Sequence, residues 1–218
     1  MKRAVLEEYL KQHNFPIIRK KKKHYLTYEG IKDRYVYILK EGIVKTSMIS
    51  NEGREFNLKY IHEMEIVSLF KDEYSPLVEA PFNIRVESTE ATLYKIEREQ
   101  FWRDVNQDPR LQQYVKEYYR VYLMYTMKKM QQMLMNGKFG AICAELEELC
   151  EQFGRETAEG ILIDFEITNE EIARFCGITS ASSVNRMMQK LRQEQVIKIV
   201  ERKILILDRP LLQANIPY

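Results

Sequence analysis

The spacing of apolar positions changes several times along the chain. Val5, Leu6, Tyr9 and Leu10 fall at threes and fours, which predicts a short helix over 3–14 that Pro16 ends. From Ile17 to Glu97 the pattern tightens to alternation. Tyr35–Leu39, Gly42–Ile49, Phe56–Tyr60, Ile84–Val86 and Ala91–Ile96 are runs of β-branched and aromatic residues that read as strands. Lys40-Glu41-Gly42 and Asn51-Glu52-Gly53 supply the glycines that tight turns use. Many short strands separated by turns predict a small antiparallel β-barrel or roll.

The helical period returns at Asp108-Pro109, an N-cap followed by proline at the first helical position. Leu111, Tyr114, Val115, Tyr118, Val121, Tyr122, Tyr125, Met130 and Met133 then recur at threes and fours, with no Gly or Pro before Gly137. About 28 residues of helix would run about 40 Å. Tyr119, Met124 and Met127 lie off the main stripe, so the helix is apolar on several sides and must be covered on several sides. The barrel covers one side. A second copy of the helix is the expected cover for the other, with Tyr118 and Tyr122 in the seam. The competing reading buries the helix wholly inside one chain. Asn136-Gly137-Lys138 then reads as a hinge, and Phe139–Phe153 as a helix with Ile142, Cys143, Leu146, Leu149, Cys150 and Phe153 on one face. Gly154 is its expected C-terminal cap, and Ile161–Phe165 reads as a short strand. The expected organisation is α+β: a barrel over 1–107, a dimerisation helix and hinge over 108–136, and a further domain over 137–218.

Residues 168–192 carry the chemistry. Thr168-x-x-Glu171 is a capping box, followed by apolar Ile172 and Phe175 and by Ala173, small enough for a second helix to cross closely. Gly177 stands where a turn between helices needs positive φ, Ile178 plugs the turn, and Ser180 caps the next helix. Val184, Met187, Met188 and Leu191 form that helix's buried side. This is the grammar of a helix-turn-helix. Ser182, Ser183, Asn185, Arg186 and Gln189 occupy the outer side, where hydrogen-bonding side chains read base edges. Lys190 and Arg192 suit phosphates. Val196–Leu207 holds two apolar strands around a charged turn, a β-hairpin wing presenting Arg202 and Lys203.

Overall charge adds little: 34 basic against 32 acidic residues in 218 leave a net +2. Its distribution adds more. From Arg174 to Lys203 there are seven basic and two acidic residues, whereas Glu145–Glu171 is strongly acidic, so positive charge gathers where a duplex would lie. Lys20–Lys23 reads instead as a solvated loop or strand edge that resists aggregation. No apolar run approaches the length of a membrane span. Acids at Glu7 and Glu8 fall where a signal peptide needs an apolar core, and Cys143, Cys150 and Cys176 form no paired motif, so a cytoplasmic protein with reduced thiols is expected. With His13, His24 and His62 they give no metal-ligand spacing. No nucleophile–base motif or phosphate loop is present, so an enzyme is not expected. The alternative to DNA binding is a barrel-based interaction module whose helix-turn-helix contacts protein.

The order of barrel, long helix, hinge and winged helix-turn-helix resembles the Crp/Fnr family of bacterial transcription regulators over essentially the whole chain. Within it, Asn136–Cys143, Asn57-Leu58-Lys59-Tyr60, Ser182, Val184, Arg186 and the spacing from Gly177 to Val184 resemble the PrfA-like regulators of Gram-positive bacteria. The resemblance implies a cupin-like barrel of the cyclic-nucleotide-binding type, a homodimer on palindromic DNA, and recruitment of RNA polymerase, most simply as an activator. It also implies that Lys59, Tyr60, Tyr125 and Phe153 lie near an interdomain pocket for a glutathione-like peptide effector; the competing reading makes these aromatics core residues. Cyclic-nucleotide members carry a Gly-Glu-Leu segment and then Arg-Ser. Glu65–Asp72 and Phe82–Val86 show neither, so a cyclic nucleotide is not the expected effector.

Overall fold

The computed structural model describes residues 2–68 and 80–216. The chain divides into two compact units, residues 1–123 and 124–218, and the division falls inside the long helix rather than at the expected hinge.

In the first unit, helix α1 (Lys2–Gln12) precedes strands β1 (Ile17–Lys21), β2 (Tyr25–Thr27), β3 (Tyr35–Glu41), β4 (Val44–Ile49), β5 (Glu55–Ile61), β6 (Asn83–Val86) and β7 (Glu90–Glu97). Helix α2 (Arg98–Gln107) and the first half of α3 (Pro109–Met135) follow. The strands form two antiparallel sheets, ordered β1-β7-β3 and β2-β6-β4-β5. Tyr37, Leu39 and Leu93 of one sheet meet Val44, Ile61, Ile84 and Val86 of the other in a single buried cluster. The intervening residues of β3, Val36 and Ile38, point the other way and join Ile96 in burying Leu6, Tyr9, Phe101, Leu111 and Val115 of the helices. β3 is thus apolar on both faces because both faces are covered. This is the expected roll. Lys20 and Lys21 lie on its edge strand β1, as the strand-edge reading had it. Helix α2 was not anticipated, because only Phe101 and Val105 are buried along its ten residues.

The tyrosines of α3 correct the expected seam. Tyr114, Tyr118 and Tyr119 pack on the core of the first unit. Burial pushes the Tyr118 hydroxyl well above its usual range, with the charge of Glu65 adding to it. Burial pushes Tyr122 up to about 12, against a hydrogen bond with Thr46 of β4. Tyr118 and Tyr122 therefore belong to the protomer's own packing. The exposed apolar residues of α3 are Val121, Leu123, Met124, Met127, Met130, Leu134 and Met135. Leu123, Met127, Met130 and Leu134 follow the four–three–four spacing of a coiled-coil seam.

The second unit contains the rest of α3, then α4 (Gly137–Phe153), β8 (Gly154–Thr157), β9 (Gly160–Ile163), α5 (Asn169–Phe175), α6 (Ala181–Gln193), β10 (Ile197–Val200), β11 (Lys203–Ile206) and α7 (Arg209–Ala214). Its sheet runs β10-β11-β9-β8. α4 begins at Gly137 (φ +61), two residues before the expected start. Gly154 ends α4 with φ −69, so it is not a left-handed cap. A Cβ there would stand 2.2 Å from the Cys150 carbonyl oxygen, and lack of room is what excludes a side chain. β8 (Gly-Arg-Glu-Thr) carries no apolar residue and left no pattern to read. In α7, Asp208 caps the first turn by accepting from the Leu211 amide at 2.8 Å, and Arg209 grips Glu147 of α4 at 2.6 Å. Burial pushes the Glu147 carboxyl up, but the hydrogen bonds from Arg209 and Gln213 outweigh it and hold the group below its usual range.

Candidate nucleic-acid interface

The sequence folds locally as its caps dictate. The Glu171 amide donates to Thr168 Oγ1 at 3.1 Å and starts α5. Ile172, Ala173 and Phe175 are buried. Gly177 takes φ +63, which a side chain would resist, and lets the chain reverse. The Ile178 amide donates back to the Ala173 carbonyl at 2.9 Å, and the Ile178 side chain is buried in the turn. Ser180 Oγ accepts from the Ser183 amide at 3.4 Å and starts α6, which buries Val184, Met188 and Leu191.

With that face fixed, Ser182, Asn185, Arg186 and Gln189 are exposed together, at the threes and fours that place them on one side of α6. Asn185 Oδ1 accepts from Asn169 Nδ2 at 2.6 Å, which orients the amide from the neighbouring helix. Ser182 and Ser180 share a hydrogen bond of 2.7 Å. Two expectations need correction. Ser183 is only 7% exposed and lies on the inner side, so it leaves the base-reading set. The Lys190 ammonium lies 4.4 Å from the Phe139 ring centroid and 3.7 Å from Glu194, drawn back along the unit rather than out from it.

The wing pairs β10 with β11 around Glu201 (φ +47) and Arg202 (φ +67). Two successive left-handed residues make a tight hairpin turn of the kind that usually takes Asn-Gly. Here it carries Arg202 at an exposed tip. Lys203 donates to Asp164 at 2.6 Å, and its hydrogen bond and charge hold the Asp164 carboxyl below the usual range. Lys198 pairs with Glu159 at 3.1 Å and Arg174 with Glu170 at 2.6 Å. Among the described residues Arg186, Arg192 and Arg202 have no such acidic partner, so the uncompensated charge is narrower than the basic count suggested.

The expected effector residues are not one cluster within either unit. Lys59 and Tyr60 are successive residues of β5 and point to opposite faces of its sheet. Lys59 donates to Glu65 at 2.7 Å, and Tyr60 is buried. Both lie in the first unit; Tyr125 and Phe153 lie in the second. The Tyr125 hydroxyl donates to Glu148 Oε1 at 2.7 Å, and Phe153 stacks on Phe165 with centroids 4.7 Å apart. Of the stretch compared with the cyclic-nucleotide segment, Leu69–Asp72 lies outside the described residues. Burial pushes the Cys143 and Cys150 thiols up to about 12 and Cys176 well above its ordinary value, which removes the reactive thiolate.

The sequence reading missed Lys129, Glu145 and Glu148, which meet beneath the helix-turn-helix. The available signal was a carboxylate, Glu145, among Ile142, Cys143, Leu146 and Leu149 on the apolar face of α4.

A family model for the Crp-like helix-turn-helix domain matches residues 142–214. The chain is 50% identical to the lactate racemization regulatory protein of Lactiplantibacillus plantarum over 93% of this chain and 92% of that one. It is 32% identical to the listeriolysin regulatory protein of Listeria monocytogenes over 75% of this chain and 69% of that one. The leaning toward PrfA-like regulators is therefore revised toward the Lactiplantibacillus relative. In fold, the chain is similar to the c-di-GMP-responsive global regulator of Xanthomonas campestris, with a TM-score of 0.80 at 17% identity over 94% of this chain and 99% of that one. No helix among the described residues is long and apolar enough to cross a membrane. On the matched helix-turn-helix and the whole-length identity, the chain belongs to the Crp/Fnr family of DNA-binding transcription regulators.

Proposed function

We propose that the protein is a cytoplasmic homodimer that binds palindromic promoter sites and activates transcription by recruiting RNA polymerase. The carrying observation is α6: a capped helix with one face locked in the core and Ser182, Asn185, Arg186 and Gln189 exposed together on the other. Arg186 is suited to bidentate bonding of guanine O6 and N7, with Asn185 and Gln189 to adenine edges. Ser180 and Ser182 at the helix start, Arg192 at its end and Arg202 on the wing contact phosphates, and Lys190 and Lys203 do so only by leaving their present partners. The exposed Leu123–Leu134 stripe of α3 is the dimer seam, which brings two copies of α6 to one duplex. A left-handed Arg202 at the wing tip, where glycine would be easier, favours DNA over a protein partner for this face.

The Lactiplantibacillus relative's name makes lactate racemisation the first class of gene to test, and lactate the first effector. A glutathione-like peptide is the second, and cyclic AMP the third. Sequencing the genomic fragments bound by the purified protein should return a dyad-symmetric site. Calorimetric titration of the three compounds, with and without that site, reads the effector. An effector must raise DNA affinity by the factor by which DNA raises its own. Fragments without dyad symmetry would refute the proposal.

A further inference from the structure

The expected hinge at Asn136-Gly137-Lys138 is bridged by charge. Lys129, on the last turns of α3, is 8% exposed. Its ammonium donates to Glu145 and, at 3.2 Å, to Glu148, both on α4. Glu145 is 3% exposed. The same ammonium lies 5.2 Å from the ring centroid of Phe175, the last residue of α5. Four residues along α3, the Met133 methyl stands 2.7 Å from where a Cβ on Gly177 would lie. The C-terminal part of the long helix therefore rests on the end of α5 and the turn that aims α6, and the charged contact at that junction is this triad.

Two carboxylates on one ammonium leave a surplus negative charge out of water. Buried like charges that share a site favour retention of a proton by one of them. Every element packed there contributes: Tyr125 and Lys129 from α3; Glu145, Glu148, Gln152 and Cys143 from α4; Phe175 and Cys176 at the end of α5. Among the described residues Glu148 Oε1 accepts from Tyr125 and Gln152, at 2.7 and 3.0 Å, while the buried Glu145 accepts from Lys129. Cys176 and Cys143 are held as neutral thiols. The proton thus falls to Glu145.

We propose that Lys129, Glu145 and Glu148 form a proton-loaded latch between the long helix and the helix-turn-helix, closed when Glu145 is protonated and loosened when both carboxylates are ionised, so that operator affinity falls as pH rises. Burial pushes Glu145 up to about 7, outweighing the attraction of Lys129, with the charge of Glu148 adding to the rise. The sign follows by linkage. Between the ordinary carboxylate range and about 7 the folded unit holds a proton that an unfolded carboxylate has lost, so stability gained from this group is full below that range and is lost as pH rises through 7. A closed latch holds α6 in one orientation on the dimer helix, which spares the DNA complex the cost of ordering it.

The inference rests on DNA binding by α6, and the test separates the two. Full-length wild type and Glu145→Gln are titrated by anisotropy onto the selected operator at about pH 6 and about pH 8, at fixed ionic strength. Wild type should bind at least about fivefold tighter at the lower pH, within the usual range of coupling between sites. Glu145→Gln, neutral at both, should bind alike at both with the acid-form affinity. His13, His24 and His62 are present in both proteins, so whatever they contribute is common to both and cancels in the comparison. A flat wild type, or a variant that keeps the wild-type ratio, overturns the latch. Carbon NMR of glutamate-labelled wild type needs no substitution: one carboxyl should titrate near neutrality, and titration of all of them below about pH 5 overturns the latch. No binding to the operator at any pH would instead sink the DNA-reading role, while the NMR still reports on the triad.

Discussion

The two halves of α3 use the same helical period in opposite ways. Up to Tyr122 its apolar side chains, Val121 excepted, serve their own protomer: Leu111 and Val115 are buried, and Tyr114, Tyr118 and Tyr119 pack on the roll's core. From Leu123 onward the arrangement inverts. Leu123, Met124, Met127, Met130 and Leu134 are exposed, Leu134 by 77%, while the residue taken inside is Lys129. A period of threes and fours says that a helix has a face to bury, not against what. The half that buries Lys129 and leaves Met124, Met127 and Met130 outside is the half that the proposed dimer would use.

The sharpest way to break that comparison is to charge the outer stripe. Met127→Glu with Leu134→Glu should leave each protomer folded but convert dimer to monomer in sedimentation, because charges in an apolar seam are costly unless paired. Operator affinity should then fall by orders of magnitude, since two half-sites are no longer held together. The matching change in the first half should do the reverse. Leu111→Ala should cost about 2–5 kcal/mol of protomer stability in urea unfolding, through lost burial and the cavity left behind. If instead Leu111→Ala dissociates a stable dimer and the double glutamate variant unfolds the protomer, the assignment of the halves is wrong.

How much of this was readable turns on what each residue had to betray. The roll's strands announced themselves because β3, β4 and β7 alternate between two covered faces. The helix-turn-helix announced itself through Thr168, Gly177 and Ser180, whose roles are local and set by caps and backbone handedness. The direction in which Tyr118 and Tyr122 face depends on where β4 lies in space, and no local pattern carries that. β8 has no apolar residue and α7 is only six residues long, so neither can show a period of its own; β8 is held by pairing with β9, and α7 by buried Leu212 and the Arg209–Glu147 grip. Glu145 was visible as a misfit on an apolar face, but its partner Lys129 sits across a helix break.

A smaller effect sharpens the reading of α6. Arg186→Ala should cost about 1–3 kcal/mol of discrimination at one position of each half-site, measured by competition among operator variants. Equal loss on random DNA would make Arg186 a phosphate contact. Smallest, Thr168→Ala should remove the α5 cap at about 1 kcal/mol, seen as a lower unfolding midpoint with the operator sequence preference unchanged.

The most direct test of a dyad-reading dimer is a hydroxyl-radical footprint of the full-length protein on its selected operator, with Arg186→Ala alongside. The account predicts two symmetry-related protected patches on one face of the duplex, about one helical turn apart, with sequence preference inside them lost in the variant. A single unsymmetrical patch, or a pattern of preference that Arg186→Ala leaves intact, would contradict it.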